Sequence, residues 1–298
     1  MTDMLYVWAF NFFRFLIKIL PAPVTDSIVK GLAWLIYVFD KKHRKIAEVN
    51  LDLAYGDTLS KEEKEKIIKT VYQNMLFSLM DFVKNQGISK EALLQKVTFK
   101  NEAVLEKARA EGKKVILVTA HYGNWELVAL AIAAKFGKMT IIGRSLDAQR
   151  MNEILKQNRE QFDIELVDKQ GAMKAMIQAL KADRMLGLLV DQNTAGSEGL
   201  LIDFFGKPAR HTPSAAILAR RFDAVIIPVF ITSEDHRHFT LTFYDPIDTP
   251  KSDDKDADIY DSVQKQATIT EQVIRQKPEE WFWLHQRWKN QFEERYKQ

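Results

Sequence analysis

The chain is 298 residues long, with 46% hydrophobic and 28% charged residues, enough for one substantial core or a core plus a smaller helical piece, and no disordered tail. It has no cysteine, which excludes disulfides, thiolate metal sites and a cysteine nucleophile. A formal charge of +3 is too mild for the basic stripe of a nucleic-acid binder and suits anionic lipid, a phosphorylated ligand or an acidic partner.

No secretory signal is read at the start: Asp3 stands where a basic region is expected, and Arg14 and Lys18 interrupt the apolar stretch. Residues 4–20 are apolar, aromatic and helix-compatible, with Asn11, Arg14 and Lys18 spaced to share one helical face. Such a helix is roughly 25 Å long, short of the ~30 Å hydrocarbon core of a bilayer. A second apolar stretch, 28–39, runs into the cations Lys41, Lys42, His43, Arg44 and Lys45. Aromatic surface beside long cations predicts a helical segment over 1–40 that lies on a membrane surface, with a single tilted span as the alternative and a buried soluble hairpin as the plainer one.

Residues 41–298 are read as one α/β domain. Ser60 and Glu63 form a capping box before a helix over 61–85, and Gly87 stops it. Residues 115–119 (VILVT) are a short, nearly all-apolar run, as for a strand buried on both faces. Runs 139–142, 164–167, 186–190, 225–230 and 239–243 read as further strands, and 125–135, 148–162 and 172–182 as helices between them. The alternation predicts an α/β fold, a mixed sheet flanked by helices. The polar run 249–258 is the nearest thing to a linker.

Ligands of such sheets sit beyond the carboxyl ends of strands, which is where His121 falls, in HYGNWE. His121 and Glu126 are five apart and share no face of a continuous helix, but a loop-to-helix break after Asn124, a candidate N-cap, lets them meet. Glu126 then fixes the imidazole tautomer while the other nitrogen takes a proton from an alcohol that attacks an acyl thioester. Backbone N–H groups at the helix start are candidate oxyanion donors. On spacing alone, a structural histidine–carboxylate contact is an equal reading.

HYGNWE resembles the H-x4-D/E motif of lipid acyltransferases. Five further segments, in order, are similar to those of the bacterial late acyltransferases of lipid A biosynthesis, the lauroyl/myristoyl type: RKIAEVNL at 44–51; Gly143–Arg144 with Asn158–Arg159; LLVDQN; DFFGKPARHTPSAAILAR; and EQVIRQKPEEWFWLHQRWK. Glu126, Trp281 and Trp288 are conservative departures from the Asp, Tyr and Phe common there. The resemblance implies a glycerolipid-acyltransferase type of fold. It also implies transfer of an acyl chain from acyl carrier protein to a hydroxyl of a hydroxyacyl chain on a Kdo-bearing lipid A precursor, at the cytoplasmic face of the inner membrane. His121 and Glu126 are then catalytic; no metal, no bound cofactor and no nucleic-acid partner are expected. Arg144 and Arg159 suit phosphate or sugar-acid recognition. Asp191 is placed to bond substrate, orient an arginine or pair structurally. Thr212 is expected to cap a helix or meet substrate, His285, Arg287 and Lys289 to lie near the acceptor headgroup, and Trp281, Trp283 and Trp288 to be packing anchors. Lys207 and Arg210 are candidate carrier-docking cations, and His43, His211, His236 and His238 read as surface residues. The alternatives are an acyltransferase for another glycolipid or a lysophospholipid and, from another class, a non-catalytic lipid-binding protein.

Overall fold

The computed structural model describes residues 2–145, 148–196 and 198–297. Two apolar helices open it, α1 (Thr2–Ile19) and α2 (Ala22–Phe39), separated at Pro21, which occupies the N-cap of the second. Asp40 starts α3 (Lys41–Tyr55) by accepting the His43 N–H. The Ser60–Glu63 capping box is formed at the start of α4 (Lys61–Lys84), and α5 (Lys90–Gln95) follows.

The α/β part runs β1 (Val97–Lys100), α6 (Ala103–Ala110), β2 (Val115–Thr119), α7 (Trp125–Phe136), β3 (Met139–Gly143), α8 (Gln149–Arg159), β4 (Ile164–Asp168), α9 (Ala172–Lys181) and β5 (Met185–Leu189). A hairpin, β6 (Leu200–Phe204) and β7 (Lys207–His211), then precedes α10 (Ser214–Phe222), β8 (Val225–Ser233), β9 (Phe239–Phe243), α11 (Lys255–Gln276) and α12 (Glu293–Lys297).

Seven strands form one mixed sheet in the order β1-β9-β8-β2-β5-β3-β4. Every pairing in it is parallel except β8 with β9. All five residues of β2 are buried, because both faces of this central strand are covered. Val115 and Leu117 pack in the core under α7, whereas Ile116 and Val118 pack with α9 and α10 on the other face. A third apolar cluster joins α2, α3, α4 and α11 to Trp281, Trp283 and Trp288.

The register of β2 against β5 pairs Thr119 with Leu189 in parallel. Both strands leave the sheet at the same edge, so residues two beyond each, His121 and Asp191, come out side by side. Several elements are not read in advance, among them β1, the β6–β7 hairpin and α11, whose first turn lies in the polar run 249–258. β1 is only four residues. The β6–β7 hairpin turns on Phe205 and Gly206, both at positive φ (58° and 68°), a primed two-residue turn made without the usual Asn-Gly signal.

Candidate active site

The loop after β2 is pressed against the sheet and clamped from the C-terminal block. Gly123 has φ +59°, and a Cβ there would lie 2.0 Å from the Ile231 carbonyl oxygen of β8, so only glycine fits. Its N–H donates to the Glu280 carbonyl (2.9 Å), and the Phe282 N–H donates to the His121 carbonyl (2.9 Å). Tyr122 and Trp281 thereby form an antiparallel bridge. Asn124 stands at the N-cap position of α7 without capping it, which corrects the sequence reading. Its Nδ2 instead donates to buried Asp81 of α4 (2.7 Å), a carboxylate also held by Lys96 (2.6 Å) and Asn85 (2.7 Å). Held by this charge-assisted bond, the carboxamide leaves its Oδ1, the atom a cap would use, without a protein partner.

The structure gives His121 a different carboxylate from the one the motif suggests. Its Nδ1 lies 2.8 Å from Asp191 Oδ1, and its backbone N–H donates to Oδ2 at 3.0 Å. Trp281 Nε1 completes the set on Oδ2 at 2.8 Å. Asp191 is 3% exposed, and three donors aimed at it satisfy a carboxylate that burial alone would make costly. Glu126 is instead held by both arms of Arg159, with Nε at 2.9 Å from Oε2. A guanidinium offers a two-pronged match that an imidazole cannot, and α8 carries it to the start of α7.

Electrostatics follow from these contacts. Burial pulls the His121 pKa down, but the Asp191 charge and hydrogen bond, helped by the Glu126 charge and opposed by Arg159, leave it above the ordinary histidine value. Burial pushes Asp191 up, yet the His121 charge and bonds and the Trp281 bond win and hold it well below the usual carboxylate range. An ionised Asp191 on Nδ1 puts the proton there and leaves Nε2 as the basic nitrogen. Nε2 lies 3.2 Å from the side-chain Nε2 of Gln192. Trp125 and Phe282 stand 5.4 and 6.3 Å from the imidazole, ring centre to ring centre, and give it an aromatic wall.

The remaining expected residues divide. Arg144 is exposed beyond β3, near Asp168, whose pKa is lowered chiefly by hydrogen bonds from Ser145 and Gln170 and last by the Arg144 charge. His285 accepts the Asn193 N–H at 3.0 Å, and burial with nearby Arg287 brings its pKa down to about 4. Thr212 Oγ1 contacts Ser214 Oγ at 3.0 Å where α10 begins. Arg287 is fully buried, donating to the Arg210 carbonyl and lying over the Phe204 ring; the headgroup-facing reading is corrected, since packing encloses it. His211 is likewise buried rather than on the surface, and burial and the Arg287 charge lower its pKa to about 3. Trp281, Trp283 and Trp288 are buried anchors, as their residue type predicts. The Asp191–His121 contact, the Trp281 donor and Gln192 escape sequence reasoning, because they depend on which strands are neighbours. Among the described residues, no three His, Asp or Glu side chains cluster as a metal site.

Residues 1–290 match the family model described as bacterial lipid A biosynthesis acyltransferase. The chain is similar to lipid A biosynthesis acyltransferase 2 of Shigella flexneri, 22% identical over 269 residues, 90% of this chain and 84% of that protein. It is also similar to the lipid A biosynthesis lauroyltransferase of Escherichia coli, 23% identical over 91% of this chain and 87% of that one. A phosphatidylinositol mannoside acyltransferase of Mycobacterium tuberculosis is 24% identical over 62% of this chain and 57% of its own length.

Proposed function

The chain belongs to the bacterial lipid A biosynthesis acyltransferase family, and on that premise we propose that it moves a fatty acyl chain from acyl carrier protein to a hydroxyl of a hydroxyacyl chain on a Kdo-linked lipid A precursor, with His121 as general base. The observation that carries this reading is the imidazole set with buried Asp191 on Nδ1 and the exposed, movable Gln192 carboxamide at Nε2. Nε2 takes the proton of the acceptor hydroxyl as its oxygen attacks the thioester carbonyl. Asp191 keeps the tautomer and stabilises the imidazolium that forms. The same proton then goes to the departing thiolate. Glu126 and Arg159, engaged with each other, flank this centre: Glu126 adds negative charge and Arg159 positive charge near the imidazole. Trp125 and Phe282 supply an apolar approach for the acyl chain.

Exposed Arg144 is the available guanidinium for an anionic headgroup. Of the two carrier-docking candidates, Arg210 is engaged with the Gly199 carbonyl (2.7 Å), which leaves Lys207, exposed at the hairpin turn, as the freer cation for an acidic partner. Membrane contact is supported by an exposed apolar face on the first two helices. Trp8, Phe12, Phe15 and Ile19 form a stripe on α1, with Trp34, Leu35, Ile36 and Phe39 exposed on α2. Among the described residues, α2 alone has the length and apolarity to cross a membrane, so both surface seating and a short span accord with it. We assign the chain to the cytoplasmic face of the inner membrane on the same premise.

Mass spectrometry of extracted lipids tests the assignment in cells lacking the protein and in cells supplied with it or with His121→Ala. The expected result is one additional acyl mass on lipid A with the intact protein and none with the variant. An added chain on a mannoside or a phospholipid instead overturns the acceptor while keeping the chemistry. An unchanged lipid profile overturns both.

A further inference from the structure

Gln192 directly follows Asp191 and is exposed. Its carboxamide nitrogen is 3.2 Å from His121 Nε2. Asp191 holds the other ring nitrogen, so the lone pair of Nε2 faces this amide, and the amide N–H donates to it. That is the position an alcohol O–H must take to give up its proton. The first three N–H groups of the loop are engaged and so closed to a developing oxyanion; those at the start of α7 are the other candidate donors. The N–H of His121 is engaged by Asp191, that of Tyr122 by the Ala120 carbonyl (2.7 Å), and that of Gly123 by the Glu280 carbonyl.

We propose that Gln192 is a catalytic residue: its carboxamide holds the place of the acceptor hydroxyl in the free protein and, once displaced, donates to the thioester oxygen as that oxygen becomes an anion. The inference rests on His121 as the base. An exposed side chain moves by rotation without disturbing the core, and displacement exchanges one hydrogen bond for another. The hydroxyl proton passes to His121 Nε2, the new O–C bond forms, and the carbonyl π pair moves onto oxygen, where the Gln192 N–H meets it. The pair then returns, the C–S bond breaks, and the thiolate takes the proton from Nε2. A neutral donor suits this place, because a carboxylate there would repel the anion.

The test uses the full chain with a dodecanoyl thioester donor and a lipid A precursor carrying a free hydroxyacyl chain, with thioester hydrolysis by water as a second readout. Gln192→Ala, the near-isosteric Gln192→Glu and His121→Ala are compared. Both Gln192 variants are expected to melt like the wild type and keep the donor KM while losing kcat on the order of 10²-fold, with Glu no better than Ala. An unchanged or raised kcat in Gln192→Ala, beside an inactive His121→Ala, overturns the role of Gln192 alone. A raised KM at unchanged kcat also overturns it, since the amide then serves binding only. A fully active His121→Ala overturns the reading on which the inference rests.

Discussion

At His121 two opposing effects act on one proton. Burial disfavours the imidazolium, and a carboxylate 2.8 Å away favours it; desolvation is the largest single effect, but the Asp191 charge, its hydrogen bond and the Glu126 charge together outweigh it. The proton on Nε2 must therefore leave before the nitrogen works as a base, so transfer rises with pH through a midpoint above the ordinary ~6.5. Removing the imidazole, as in His121→Ala, is expected to lower acyl transfer by on the order of 10²–10⁴, read as turnover at equal folded protein. Glu126→Gln acts differently. It leaves the Asp191 bond in place but strips the charge that offsets Arg159, so the midpoint of the pH–rate curve moves down and kcat falls by about 10-fold to 10²-fold. A Glu126→Gln enzyme with wild-type rate and midpoint would reduce Glu126 to a structural role. HYGNWE makes His121 and Glu126 legible in the sequence. Their partners are not, because Asp191 and Arg159 lie 70 and 33 residues away from the groups they contact.

Among the elements, the C-terminal block matters through its backbone. Residues 280–282 pair with the His121 loop, and the block is in turn held by Asn50 of α3. Asn50 Nδ2 donates to the carbonyls of Trp283 (2.6 Å) and His285 (2.7 Å), while the Tyr296 hydroxyl donates to its Oδ1. Asn50→Ala orphans buried carbonyls and is expected to cost about 2–3 kcal/mol, visible as a lower Tm, with activity following the loop it supports. Hydrophobic periodicity shows α4 and the buried strand β2, which each obey a single rule, but not the 22-residue α11, whose first turn lies in the polar run read as a linker. It does not show β1, which is too short, nor the hairpin, whose turn uses Phe205. The Asn124 cap fails because its Nδ2 donates to Asp81 of a neighbouring helix, and the carboxamide so held leaves Oδ1, the atom a cap would use, without a protein partner.

The whole molecule joins an exposed apolar face to a site built at one edge of the sheet. Arg14, expected on a polar face, instead donates to the Gln86 carbonyl at 3.3 Å, and the side chain of Lys18 lies outside the described residues. The outward stripe of α1 is thus largely apolar. Trp34 and Phe39 of α2 are 61% and 75% exposed, so Trp34→Glu with Phe39→Glu should leave the Tm unchanged yet release the protein from anionic vesicles in a flotation assay. Each aromatic that enters lipid contributes about 1.5–3 kcal/mol, so retained binding would locate the membrane contact elsewhere. The same scale explains the His121–Asp191 contact: the neighbouring, in-register exits of β2 and β5 bring the two residues together. The pH–rate profile of acyl transfer by Asp191→Asn tests that arrangement most directly. The account expects kcat to fall on the order of 10²–10⁴, with the midpoint of the acid limb moved down because the charge that raised it is gone. A variant that keeps both the wild-type rate and the wild-type midpoint would contradict it.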